Sequence, residues 1–243
     1  MLDRATGALL LGARDLPPAA RTLAERLLGP GRVVGCARPP RLLPPPAGGG
    51  GGPWLRVAGY YHGSLHDGPG RRSSLLVQGC SIGRDPARRC AGCWVPHLHP
   101  LEGGTAVGVE RLAEALLDPA EPRDGVSVLG GEPFDQAEGV LALVVALRAR
   151  GCGHVCVYSG FTLEELRERA SRRPAVGALL EAIDMLVDGR YVASLAEGAG
   201  AWTGSANQRA IDLAAMRRER ENDPRRGRES GCGSASPAST PGR

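Results

Sequence analysis

The chain reads as an α/β protein whose parallel sheet forms an incomplete barrel of about five or six strands. Three observations predict this. From Trp54 onward, short apolar runs alternate with stretches of helical periodicity. Repeated strand–helix units of that kind imply a parallel sheet with function at the carboxyl ends of its strands. The readable stretch, residues 54–215, is too short for eight such units, so the barrel stays open.

Residues 1–53 form an N-terminal extension. Within it Leu16–Leu28 has the spacing of a short amphipathic helix, and the Pro39–Pro53 run PPRLLPPPAGGGGGP reads as a linker. Leu55–Tyr60 is a strand, and a loop follows through Asp67-Gly68-Pro69-Gly70. Ser74–Val77 is a second strand that delivers Cys80 to a loop at its carboxyl end. Val109–Leu117 carries Val109, Leu112, Ala113 and Leu116 on one helical face. Val126–Leu129 is a strand ending in Gly130-Gly131. Gln136–Arg150 is an amphipathic helix with Val140, Leu143, Val144 and Leu147 inward and Gly151 just past its end. His154–Tyr158 is a strand, and Thr162–Ala170 a helix opened by a capping box between Thr162 and Glu165. Val176–Ile183 is a helix, and Met185–Val187 a strand running into Asp188-Gly189. Beyond Ala215, residues 216–243 are dominated by Arg, Ser, Gly and Pro and read as a disordered tail.

Composition narrows the function classes. All 30 basic residues are arginine, a bias that, with so much Ala, Gly and Pro, reflects GC-rich coding rather than function. The net charge of +4 is concentrated in the tail, which argues against nucleic acid as a partner. No apolar stretch reaches the roughly 18 residues of a membrane span, and the start lacks a signal-peptide pattern. Seven cysteines, three of them clustered, fit a reducing cytoplasm better than a disulfide framework. Cys152 and Cys156, flanking a strand start, read as buried thiols; Cys36 and Cys232 fall in stretches expected to be unstructured.

The three clustered cysteines are Cys80, Cys90 and Cys93. Three thiolates in one loop can hold three irons of a [4Fe–4S] cube and leave the fourth iron open for chemistry. Two other readings suit the same residues: a zinc knuckle completed by His97 or His99, and three unrelated thiols.

The motifs in chain order supply further information. Asp67-Gly68-Pro69-Gly70-Arg71, Val77-Gln78-Gly79-Cys80, Cys90-Ala91-Gly92-Cys93-Trp94 and Gly130-Gly131-Glu132-Pro133 resemble radical S-adenosylmethionine (SAM) enzymes. So do Val157-Tyr158-Ser159-Gly160-Phe161-Thr162, Leu186-Val187-Asp188-Gly189-Arg190 and Gly204-Ser205-Ala206-Asn207-Gln208-Arg209. Within that superfamily the succession is most similar to the activating enzymes of anaerobic ribonucleotide reductase. The resemblance implies an incomplete (β/α)6-type radical SAM barrel. It implies a [4Fe–4S] cluster on Cys80, Cys90 and Cys93, and SAM chelated to the fourth iron through its amino and carboxylate groups. One electron from the reduced cluster then cleaves SAM to methionine and a 5′-deoxyadenosyl radical. On this resemblance Gly92, Trp94, Gly130, Gly131, Glu132 and Ser159 contact the cofactor. The glycines admit close backbone approach, Glu132 or neighbouring carbonyls accept from the amino group, and Ser159 reaches the ribose or the carboxylate. Trp94 shields the cluster near the adenine, set against an ordinary core aromatic. The implied partners are a large glycyl-radical enzyme and an electron donor such as flavodoxin or ferredoxin.

One departure stands out. The family spaces its first two cysteines by three residues, and here nine intervene, Ser81 to Arg89. Loop closure grows logarithmically, so the longer spacer costs only about 1 kcal/mol. Arg84, Arg88 and Arg89 on it either cover the site, meet a partner or are simply solvated. Three functions follow: installing a glycyl radical on a partner enzyme, the same chemistry on another peptide or small molecule, and a non-catalytic zinc or Fe–S module.

Overall fold

The structure is a computed structural model that describes residues 42–46 and 52–222, together with the backbone of three short N-terminal strands. Those strands are β1 (Leu2–Asp3), β2 (Ala8–Gly12) and β3 (Val33–Cys36). Cys36, expected in an unstructured stretch, lies in β3. The helix expected at Leu16–Leu28, Cys232 and the tail from residue 223 lie outside the described residues.

The main sheet has seven strands: β4 (Trp54–Ser64), β5 (Arg72–Val77), β6 (Thr105–Gly108), β7 (Gly125–Gly130), β8 (Val155–Tyr158), β9 (Met185–Asp188) and β10 (Arg209–Asp212). Their order is β10-β9-β8-β7-β5-β4-β6. The central run β5, β7, β8 and β9 is parallel. β4, β6 and β10 are antiparallel additions, so the sheet is mixed rather than purely parallel. The linker is also less detached than its composition suggests, because Leu43 exchanges both backbone hydrogen bonds with Tyr60.

Helices cover one face of the sheet. α1 (Ser81–Arg84) is a single turn in the cysteine spacer, and α2 (Val109–Leu116) buries the four residues its spacing indicated. α3 (Ala137–Ala149) buries Val140, Leu143, Val144 and Leu147. α4 (Leu163–Arg172) starts with the expected capping box, each of Thr162 and Glu165 accepting the other's backbone N–H. α5 (Pro174–Ala182) begins on the proline, whose missing N–H costs nothing there. Val126 and Val128 of β7 and Val155 and Val157 of β8 point into this helix-side core, joined by Leu75, Val77, Phe134 and Leu186.

The other face is built differently. Cys156, Met185 and Val187 form a small cluster there with Tyr158 and Trp202. Beside it Arg72 is fully buried, donating to Ser127 Oγ (3.0 Å) and to the carbonyls of Pro69, Val126 and His154. Burial pushes its guanidinium below the usual value. Asp67 accepts from Tyr61 (2.7 Å) and Ser74 (2.6 Å), which ties the Asp67–Gly70 loop to this face.

The domain extends past Ala215. α6 (Leu213–Glu221) is capped by Asp212, which accepts from the Ala215 amide at 2.7 Å. Leu213 is buried, and Arg217 donates to the carbonyls of Leu180 (3.2 Å) and Ile183 (2.8 Å). These carbonyls lie at the end of α5, where backbone acceptors lack intrahelical partners. An arginine-rich run that reads as disorder by composition is thus a helix docked by its guanidinium groups. Cys152 and Cys156 are buried, as expected of small apolar thiols.

Candidate metal centre

The site lies where β5 and β7 end. Past Val77, the backbone of Gly79 and Cys80 donates to the carbonyls of Leu98 (2.9 Å) and His99 (3.2 Å). Gln78 Nε2 donates to the Pro100 carbonyl at 2.8 Å. Gln136 clamps the same strand pair: its amide donates to Arg56 O and Gln78 O, both at 2.9 Å, and its oxygen accepts from the Arg56 N–H at 2.8 Å. The His97–Pro100 segment therefore braces Cys80 through its backbone carbonyls.

Cys80 caps α1, its sulfur accepting from the Gly83 N–H at 3.1 Å. Burial pushes this thiol up to about 12. Burial also raises Cys90, against the lowering effect of the Tyr191 backbone N–H that points at its sulfur. Cys80 and Cys90 sit within electrostatic reach of each other and of Glu132, as do Cys90 and Cys93. Backbone N–H groups near sulfur favour a thiolate, but burial outweighs them at Cys80 and Cys90 and keeps both as thiols in the ligand-free chain. Among the described residues, no three His, Cys, Asp or Glu side chains gather tightly enough to share one metal ion. A zinc knuckle needs that convergence, with each sulfur about 2.3 Å from one ion. A cube would instead take each thiolate on a separate iron at a separate corner.

Gly92 makes the turn between Cys90 and Cys93. Its φ is +86°, and a Cβ there would lie 2.7 Å from Ala193 Cβ. Ala91 bridges Val192, and its carbonyl accepts from the Ala193 N–H at 2.9 Å. The Tyr191–Ala193 strap that holds the cysteine loop was missed in the sequence, where it follows the Asp188-Gly189-Arg190 string without a motif of its own. Trp94 is 73% exposed and rests its ring edge on Tyr191, centroids 5.1 Å apart. It is therefore no core aromatic; it stands at the rim.

Gly130, Gly131 and Glu132 follow β7. Gly131 N–H donates to Val77 O (2.9 Å) and Glu132 N–H to Gly79 O (2.8 Å), strapping this turn to the cysteine-bearing strand end. Any Cβ on Gly131 would overlap the Gly79 carbonyl oxygen. Glu132 is fully buried. Its Oε1 accepts from Phe134 N–H and Ser159 Oγ, both at 3.0 Å, and its Oε2 from Gly160 N–H at 2.8 Å. Burial still outweighs these donors and pushes the carboxyl up to about 7. Glu132 hydrogen-bonds to its own chain, and Ser159 donates its hydroxyl proton to Glu132 while accepting from Phe161 N–H at 3.0 Å. Both side chains act here as a strut joining the ends of β7 and β8. Asp135 was also missed; it accepts from Ser81 N–H (2.6 Å) and Oγ (2.8 Å) and so fixes the start of α1.

The spacer is folded. After α1, Asp85 Oδ1 accepts from Ala87 N–H at 2.9 Å, and its carbonyl accepts from Arg88 and Arg89. Ile82 is buried in the helix-side core. Arg88 lies over the Phe161 ring and 3.7 Å from Glu165, so among the described residues it is the one of the three arginines tied to the body by its side chain.

Comparison with known proteins agrees with this arrangement. The family model described as "4Fe-4S single cluster domain" matches residues 66–211. The anaerobic ribonucleoside-triphosphate reductase-activating protein of Salmonella typhimurium is 31% identical over 160 residues, 63% of this chain and 96% of that protein. The protein of the same name from Vibrio cholerae is 33% identical over 156 residues, 61% and 92% of the two chains. That from Escherichia coli is 30% identical over 155 residues, 61% and 93%. The chain belongs to this family of anaerobic ribonucleoside-triphosphate reductase-activating proteins, with a 4Fe–4S single-cluster domain.

Proposed function

We propose, from that membership, that the protein is a radical SAM enzyme that installs a glycyl radical on anaerobic ribonucleotide reductase. The observation that carries the reading is the match to activating proteins over more than nine-tenths of their length, with the motif strings in one order. Cys80, Cys90 and Cys93 are the proposed ligands of a [4Fe–4S] cluster, and SAM the proposed second cofactor. When bound, the two together supply one electron and an adenosyl radical able to abstract hydrogen from carbon. The chain's own work is positional. The Gly130–Glu132 turn offers backbone close to the cysteine loop, Glu132 and Ser159 hold that turn against the end of β8, and Gly92 and Trp94 form the opposite rim. The open seven-stranded sheet is read as the incomplete radical SAM barrel, residues 54–221 as the working domain, and the flanks as extensions.

The proposed partners are the reductase and a low-potential donor such as flavodoxin or ferredoxin. No described helix is long and apolar enough to cross a membrane, and a cytoplasmic location is proposed with the partner. The test is anaerobic incubation of reduced, iron-loaded protein with SAM. Release of 5′-deoxyadenosine, and a glycyl-radical signal once the reductase is added, is the expected result. No nucleoside from fully loaded protein overturns the radical chemistry. Product without a glycyl radical favours another substrate, the reading that the long cysteine spacer raises.

A further inference from the structure

The nine residues between Cys80 and Cys90 are the part of the site that the family pattern does not account for, and the structure gives them a definite position. Ile82, Cys80 and Phe161 belong to the helix-side core, and Arg88 leans on Phe161 and Glu165 at the start of α4. The spacer therefore lies on the helix side of the sheet. The small cluster of Cys156, Met185 and Val187, with Arg72 beside it, lies on the opposite face and is itself buried.

Its charge is mostly positive, three arginines against Asp85. Arg84, Arg88 and Arg89 are exposed. Arg88 pairs with Glu165, whereas among the described residues Arg84 and Arg89 have no carboxylate within ion-pair distance. The single acid of the segment, half-buried Asp85, accepts locally from the Ala87 N–H at 2.9 Å. Directly after Cys93 in the chain, Trp94 stands 73% exposed. Exposed arginines on a segment that leads into the cysteine loop are the make-up of a small, charge-steered, transient interface.

We infer that the Ser81–Arg89 spacer is the docking face for an acidic one-electron donor protein carrying a flavin or an iron–sulfur centre. The inference rests on the functional reading above and adds to it where the donor binds. In the step itself the donor's reduced centre loses one electron and the enzyme's oxidised cluster gains it; no bond forms or breaks. Docking on the spacer brings the donor to the cysteine loop, next to Cys80 and Cys90.

The experiment uses the full, iron-loaded chain and a reduced flavodoxin of strongly negative net charge, followed by stopped-flow bleaching of the cluster. Native protein should be reduced at a rate that falls steeply with added salt. The R84E/R89E variant should be reduced about tenfold more slowly at low ionic strength, with a flattened salt dependence. R84K/R89K should keep the native rate. With dithionite, a small reductant that needs no docking face, R84E/R89E should match native protein in iron content and 5′-deoxyadenosine yield. Unchanged flavodoxin rate and salt slope in R84E/R89E overturn the inference. So does loss of reductase binding in that variant, which would assign the face to the reductase. Absence of dithionite-driven product in native protein would instead overturn the functional reading, and this inference with it.

Discussion

The two sides of the candidate site are held by different means. The Gly130–Glu132 side is complete without any ligand: its backbone is strapped to Val77 and Gly79, its one carboxylate is buried under three donors, and a Cβ on Gly131 finds no room. The Cys90–Trp94 side hangs on a short bridge to Val192 and Ala193, and its tryptophan faces solvent. The first side is pre-built by packing and hydrogen bonds. The second has sulfur where it lacks packing, and on the proposed function ligation completes it. This division of labour suits a centre that must be loaded after folding yet present a fixed backbone to its cofactor.

Substitutions can break the contrast. Cys93→Ala should have the largest functional effect, abolishing 5′-deoxyadenosine formation and lowering bound iron. Its apo-protein should unfold within about 0.5 kcal/mol of native, since this loop adds little to the core. Urea melts of apo-protein beside iron assays test both halves. Gly131→Ala should do the reverse in kind, destabilising the apo-fold by about 1–3 kcal/mol because the Gly79 carbonyl must be pushed away.

Glu132→Gln sharpens the comparison through pH. The native carboxyl is raised from 4.5 to about 7, so between those values the folded chain binds more protons than the unfolded one. Its contribution is therefore full below about pH 4.5 and is lost as pH rises through about 7, a change on the order of 3 kcal/mol. Comparing unfolding free energies of native and E132Q apo-protein from pH 5 to 8 isolates it. The variant's curve should be the flatter of the two, and parallel curves would contradict the assignment. Trp94→Ala should have the smallest effect on folding, within about 0.5 kcal/mol by thermal or urea melt, because its ring touches little besides Tyr191.

Much of this was legible where one local rule decides. The apolar spacing of Val109–Leu116 and Ala137–Ala149 and the Thr162–Glu165 box follow from residues within a few positions of each other. The strands β6 and β10 were not legible, since each has four residues at a sheet edge and takes its conformation from the neighbour it pairs with. α6 was hidden by composition, because its arginines act on carbonyls of a helix more than 30 residues away in the chain. In the site, the cysteines and glycines could be picked out by spacing. The partners of Glu132 and Ser159 could not, because which lone pair is already used depends on where β8 ends relative to β7.

The most direct test of the central claim is the metal content and the electron paramagnetic resonance of anaerobically loaded, reduced protein, with and without SAM. The account predicts about four irons and four sulfides per chain and a cluster signal that changes when SAM binds the open iron. Zinc without sulfide, or a cluster signal indifferent to SAM, would contradict it.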